Sequence, residues 1–204
     1  MSEVLCVTNR TLCAGDFPER IAAVADQRPA GIILREKDLP EGEYEALARQ
    51  VLAICRERGV RCILHTFVPA ALRLRADAIH LPLPVLRRLT AAEKARFSVL
   101  GASCHSVEDA LEAQQLGCTY ITAGHVFATD CKKGLPPRGL DFLRQVCRSV
   151  DIPVYAIGGV SAGNFAGILA AGAAGGCVMS GPMACGDVES YFQSFRKAGE
   201  PHGI

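Results

Sequence analysis

Four short segments of this chain combine residue types able to do chemistry. Ile157-Gly158-Gly159-Val160 and Met179-Ser180-Gly181-Pro182 each follow an apolar run. Glycine lets backbone amides come close to an anion, so the pair suits a phosphate group, although the same glycines would also make tight turns. The segment from Ala123 to Gly134 places His125 ahead of a basic, glycine-closed loop. An imidazole titrates near neutral pH and can move a proton in either direction, which makes His125 the candidate acid/base. Lys132 in that loop either meets an anionic group or is a solvated loop lysine. Arg35-Glu36-Lys37-Asp38 follows a fully apolar run. Alternation along extended backbone sends Arg35 and Lys37 to one side and Glu36 to the other. The Arg35 guanidinium can hold a carboxylate or phosphate through two parallel hydrogen bonds.

Groups so far apart in sequence meet only if the fold gathers them. Short apolar runs recur at Val4–Thr8, Gly31–Leu34, Arg61–His65, Ala78–Leu81, Ser98–Ser103, Thr119–Ala123, Val154–Ile157 and Gly176–Ser180. They are apolar throughout rather than alternating, as parallel strands covered on both faces are. Helical patterns follow them at Phe17–Gln27, Glu41–Arg58, Val68–Leu74, Val85–Lys94, Ser106–Leu116, Leu140–Val150, Ala162–Ala171 and Val188–Lys197. Eight such pairs predict a (β/α)8 barrel of the α/β class, in preference to a doubly wound open sheet. Chemistry in a barrel sits at the C-terminal strand ends. There the sequence offers Thr8 and Asn9, the Arg35 cluster, His65, His80, Ser103, His105, His125 and the two glycine loops.

Composition narrows the class of protein. The 204 residues carry 22 basic and 21 acidic side chains, a net charge of +1, which gives no general attraction to nucleic acid or an anionic membrane. No apolar run approaches the roughly 20 residues that cross a bilayer, and the N-terminus lacks the pattern of a signal peptide. The expectation is one soluble cytosolic domain spanning residues 1–204. The ten cysteines include no C-x-x-C pair and mostly lie in apolar stretches, so they read as reduced core residues. Cys104-His105 looks like a nucleophile–base pair, but neighbours on extended chain face opposite ways. His65 and His80 have no carboxylate or cysteine at a metal-ligand spacing, and His202 lies in a terminal tail, so none of the three is read as catalytic.

Leu34-Arg35-Glu36-Lys37-Asp38, Gly101-Ala102-Ser103-Cys104-His105, Pro153 to Gly159 and Val178-Met179-Ser180-Gly181, in this order and spacing, resemble the thiamine phosphate synthase superfamily over nearly the whole chain. The stretch from Gly124 to Gly134, closed by Arg138-Gly139, resembles its TenI branch, the thiazole tautomerases; synthases usually have proline where His125 stands. That resemblance implies a cofactor-free isomerase of a phosphorylated thiazole, with His125 as catalytic acid/base and a homodimeric assembly. Gly158, Gly159, Ser180 and Gly181 would hold the phosphate, and Arg35, Lys37, Ser103 and Lys132 would bind the rest of the substrate. The synthases also carry two magnesium-binding aspartates, after strands three and four. Here those segments read His65-Thr66 and Leu81-Pro82-Leu83-Pro84-Val85, without a carboxylate, so no metal site is expected. The sequence therefore ranks tautomerase above synthase, with a non-catalytic thiazole or thiamine phosphate binder as a further alternative. It also predicts that Gly159→Asp weakens phosphorylated ligands and spares unphosphorylated ones.

Overall fold

The computed structural model describes residues 4–13, 15–129, 132 and 134–199. Eight parallel strands close into a barrel in sequence order, so the expected (β/α)8 architecture is the observed one. The strands are β1 (Val4–Val7), β2 (Gly31–Leu34), β3 (Cys62–His65), β4 (Ala78–Pro82), β5 (Val99–Cys104), β6 (Tyr120–Gly124), β7 (Val154–Ile157) and β8 (Gly175–Val178). Helices α1 (Phe17–Asp26), α2 (Glu41–Glu57), α3 (Val68–Arg73), α4 (Leu83–Leu86) and α5 (Ala91–Lys94) surround the first half. Around the second half lie α6 (Val107–Gln115), α7 (Gly139–Ser149), α8 (Ala162–Ala170), α9 (Ser180–Ala184) and α10 (Val188–Gly199).

The strands are apolar on both faces because each face meets a different core. Leu5, Val7, Ile33, Ile63, Ala78, Tyr120 and Cys177 fill the barrel interior. The alternate residues, among them Cys6, Ile32, Leu64, Ile79, Ala102 and Ile121, pack outward against the helices. This period of two decides which strand-end residues reach the mouth. In the helix layer Phe165 of α8 packs edge-on against Phe195 of α10 at 5.2 Å, each ring contributing roughly 2–3 kcal/mol through burial.

Local signals account for most helix boundaries. The Ser106 hydroxyl accepts from the Asp109 amide, and Gly59, Gly117 and Gly172 take positive φ just past helix ends. The helix expected over Val85–Lys94 is instead two short ones. Pro82 precedes α4 and Pro84 lies in its first turn, while Thr90 forms a capping box with Glu93 that starts α5 anew. Ser180, read as the end of β8, opens α9. The nine described cysteines are free, and Cys131 lies outside the described residues. Burial pushes the Cys104 and Cys118 thiols up to about 12, as befits core thiols. No described helix is long and apolar enough to cross a membrane.

Candidate functional site

Alternation carries Arg35, His65, His80, Ser103 and Thr122 to the inner, C-terminal end of the barrel. His65 and His80 are register partners on β3 and β4, only 5% and 3% exposed, with rings stacked 5.8 Å apart. Tyr44 of α2 fixes the end of β3, since its hydroxyl donates to the Leu34 carbonyl and accepts from the His65 amide, both at 2.8 Å. His65 Nδ1 lies 2.6 Å from Thr66 Oγ1. His80 spans two neighbours, with Nδ1 2.9 Å from the Tyr120 hydroxyl and Nε2 2.9 Å from Ser103 Oγ.

Charge tightens this picture. Burial first, then His80 and the cations Lys37 and Arg35, pushes the His65 imidazole down to about 2. Burial and Lys37 push His80 down to about 3. Lys37 is itself lowered, by burial and by the proximity of Arg35 and Lys132. Three predicted substrate-binding cations therefore share one region beside two neutral imidazoles. Ser103 joins them through His80. The histidines set aside in the sequence form the floor of this site. Their place at the ends of apolar strands is legible in the sequence; their stacking and their partners are not.

Glu36 faces away from these cations, as alternation requires, and is 2% exposed. Thr8 donates to it at 2.6 Å, and the Arg10 amide and guanidinium also bind it. Arg10 continues to Asp38 through two bonds of 2.7 and 2.6 Å. Thr8 Oγ1 in turn accepts from the Arg35 amide at 2.9 Å. This clip ties the β1 and β2 ends together and sets the backbone from which Arg35 projects. Arg10 escaped the sequence reading because nothing local links it to a carboxylate 26 residues away.

The glycine loops lie after β7 and β8 as expected, but much of their geometry has a packing cause. The Phe127 amide donates to the Gly158 carbonyl at 3.0 Å, and Val126 donates to Ile157 at 2.9 Å. The loop after β6 thus lies directly on the β7 end. A Cβ at Gly158 would collide with His125, one at Gly159 with the Ala128 carbonyl and Phe127, and one at Gly181 with the Tyr191 ring. Gly158 and Gly159 have φ of 94° and 64°. Replacing Gly159 with Asp therefore displaces a loop for every ligand, which removes the selectivity expected of that substitution. The Gly158 and Gly159 amides have no acceptor among the described residues, and Asn164 Nδ2 fixes the Gly159 carbonyl at 2.8 Å. Two adjacent donors are left at the mouth.

His125 follows a cis peptide with Gly124, and its Nε2 lies 3.3 Å from the Leu135 carbonyl, across its own loop. Lys132 is exposed in the same loop, whereas Asp130, Cys131 and Lys133 lie outside the described residues. Cys104 is buried while His105 turns to the Gly124 carbonyl at 2.9 Å, so the two are not a catalytic pair. His202 lies outside the described residues. A cavity of about 900 Å³ opens at the N-terminal end of the strands, lined by Arg56, Arg61 and Asp77 among others, away from this site. Arg56 there complements the C-terminal end of α2.

The residues present do not fit the magnesium site of a synthase. His65-Thr66 and Pro82 to Val85 supply no carboxylate, and Glu36 is already engaged by Thr8 and Arg10. Among the described residues no group of three or more His, Cys, Asp or Glu side chains is placed to hold a metal ion.

The family model described as thiamine monophosphate synthase matches residues 4–181. The thiamine-phosphate synthase of Moorella thermoacetica is 36% identical over 81% of this chain and 80% of its own length. That of Syntrophomonas wolfei is 33% identical over 95% and 94%. The structure of thiamine phosphate pyrophosphorylase from Pyrococcus furiosus superposes with a TM-score of 0.82 at 31% identity, covering 96% of this chain and 94% of that one. These relatives overturn the tautomerase expectation, because similarity extending over nearly the whole chain leads to proteins named as synthases and not to the isomerase branch. A single histidine on the loop from Gly124 to Gly134 does not define the reaction. With its closed barrel, its synthase relatives and a match spanning β1 to the start of α9, this chain belongs to the thiamine monophosphate synthase family.

Proposed function

We propose that this chain joins a pyrimidine diphosphate to a thiazole phosphate, releasing pyrophosphate and forming thiamine phosphate. The observation that carries this reading is a mouth with two separate provisions for anions. Arg35, Lys37 and Lys132 lie close enough to influence one another, while the paired amides of Gly158 and Gly159 end β7. Two phosphorylated substrates call for two such provisions. In this reading Gly158, Gly159, Ser180 and Gly181 hold the thiazole phosphate, and the cations hold the diphosphate. As the carbon–oxygen bond to pyrophosphate breaks and the thiazole nitrogen bonds to that carbon, negative charge grows on the leaving group. Fixed cations stabilise that growth. No proton leaves carbon in this transfer, so His125 serves to hold its loop through Leu135.

Pyrophosphate measured with both substrates, with and without EDTA, tests the proposal. Release that requires both substrates, survives EDTA and falls roughly 10²-fold or more in Lys37→Ala supports it. The missing carboxylates favour one other reading, a binder of thiamine phosphate without turnover. Micromolar binding with no pyrophosphate under either condition establishes that reading and refutes transfer.

A further inference from the structure

Tyr120 on β6 is 6% exposed, and its hydroxyl has one hydrogen-bond partner among the described residues, His80 Nδ1 at 2.9 Å. A phenol buried this deeply must give its proton to that nitrogen or leave a donor without an acceptor, an arrangement proteins avoid. If Tyr120 donates, Nδ1 carries no proton and the neutral ring is protonated on Nε2. Nε2 then donates to Ser103 Oγ at 2.9 Å. The opposite assignment would strand the Tyr120 proton in the barrel interior while giving Ser103, which is half-buried, a bond it does not depend on. Ser103 Oγ has no second partner among the described residues, so its own proton points to whatever occupies the mouth. The neighbouring Thr122, a register partner of Ser103, is 1% exposed and its Oγ1 also has no partner.

We infer that Tyr120 and His80 are positioning residues that fix one imidazole tautomer and thereby make Ser103 a hydrogen-bond donor into the mouth, selecting an acceptor-only, anionic group on the ligand. The inference rests on the reading above that the mouth holds phosphorylated substrates. Arg35, Lys37 and the Gly158–Gly159 amides are likewise donors, so a ligand group presenting a proton of its own finds no acceptor among them. A ligand group that can only donate is rejected at this point by polarity rather than by size.

The tautomer is measurable without any ligand. In protein carrying ¹⁵N-histidine, long-range ¹H–¹⁵N spectra at pH 7 should show His80 protonated on Nε2, and Tyr120→Phe should let the Nδ1-protonated form appear. Titration calorimetry with thiamine phosphate as the probe should show Ser103→Ala weakening binding roughly 10–100-fold, the loss of a bond to a charged acceptor. Tyr120→Phe should weaken binding about threefold or more, and it should add nothing in the Ser103→Ala background, since both act through one hydroxyl. A native His80 protonated on Nδ1, or losses that multiply fully in the double variant, overturns the inference. Failure of the native protein to bind thiamine phosphate removes the ligand role of Ser103 together with the functional reading, while the spectrum still decides the tautomer.

Discussion

Lowering the pH from 7 to 5 should destabilise this protein by roughly 4 kcal/mol, and two side chains should account for it. His65 and His80 have an ordinary pKa of 6.5 and are pushed down to about 2 and about 3 by burial and nearby positive charge. The unfolded chain therefore binds more protons than the folded one throughout the window from about 6.5 down to about 3. Stability rises with pH wherever that holds, so this contribution is complete above 6.5 and is lost as the pH falls. At pH 5 each group lies about 1.5 units below its unfolded pKa, worth about 2 kcal/mol at 1.36 kcal/mol per unit. Exposed carboxylates such as Glu93 and Asp187 are lowered by hydrogen bonds from ordinary values already below 5, so they contribute little between pH 7 and 5. Urea denaturation at pH 7, 6 and 5 gives the three free energies directly. His65→Asn should roughly halve the loss, because only His80 then remains to be protonated on unfolding. A native protein losing under about 1 kcal/mol between pH 7 and 5, or a variant losing as much as the native, would show that the two rings are hydrated or already charged.

Two substitutions probe the packing around the mouth. Gly159→Ala should cost about 2–4 kcal/mol, from its positive φ and from collision with the Ala128 carbonyl, as read from the denaturation midpoint. It should weaken phosphorylated and unphosphorylated ligands alike, and a loss confined to the phosphorylated ones would refute the packing account. Thr122→Val removes a buried hydroxyl that has no partner, so it should raise the melting temperature by about 2–4 °C, roughly 1 kcal/mol; an unchanged or lower melting temperature would show that the hydroxyl is satisfied.

The transfer reading and the missing carboxylates place unusual weight on side-chain cations. Arg35 and Lys37 come from one loop, and Lys132 from another about a hundred residues away. Thr8 holds the Arg35 amide while also donating to Glu36, so the orientation of the cationic side depends on a clip outside the mouth. A change at Thr8, Arg10 or Glu36 thus reaches the site through backbone position alone.

The barrel was legible in the sequence because its cause is local and repeated. Each of eight apolar runs needs cover on both faces, each is followed by a helix with its own caps and stops, and such units have few ways to close. Alternation alone separated Glu36 from Arg35 and Lys37. What the sequence could not carry was every relation between distant residues of ordinary type. His65 and His80 looked idle because their neighbours in sequence offer no partner; their stacking, and the chain from Tyr120 to Ser103, exist only once β3, β4, β5 and β6 lie side by side. Arg10 became the partner of Glu36 only when β1 met β2. The glycines after β7 are visible in the sequence, but their fit against the loop after β6 is set by contacts of backbone with backbone, which leave no periodic trace in composition. Local propensity and hydrophobic period write the frame, and the closing of that frame decides which side chains become partners.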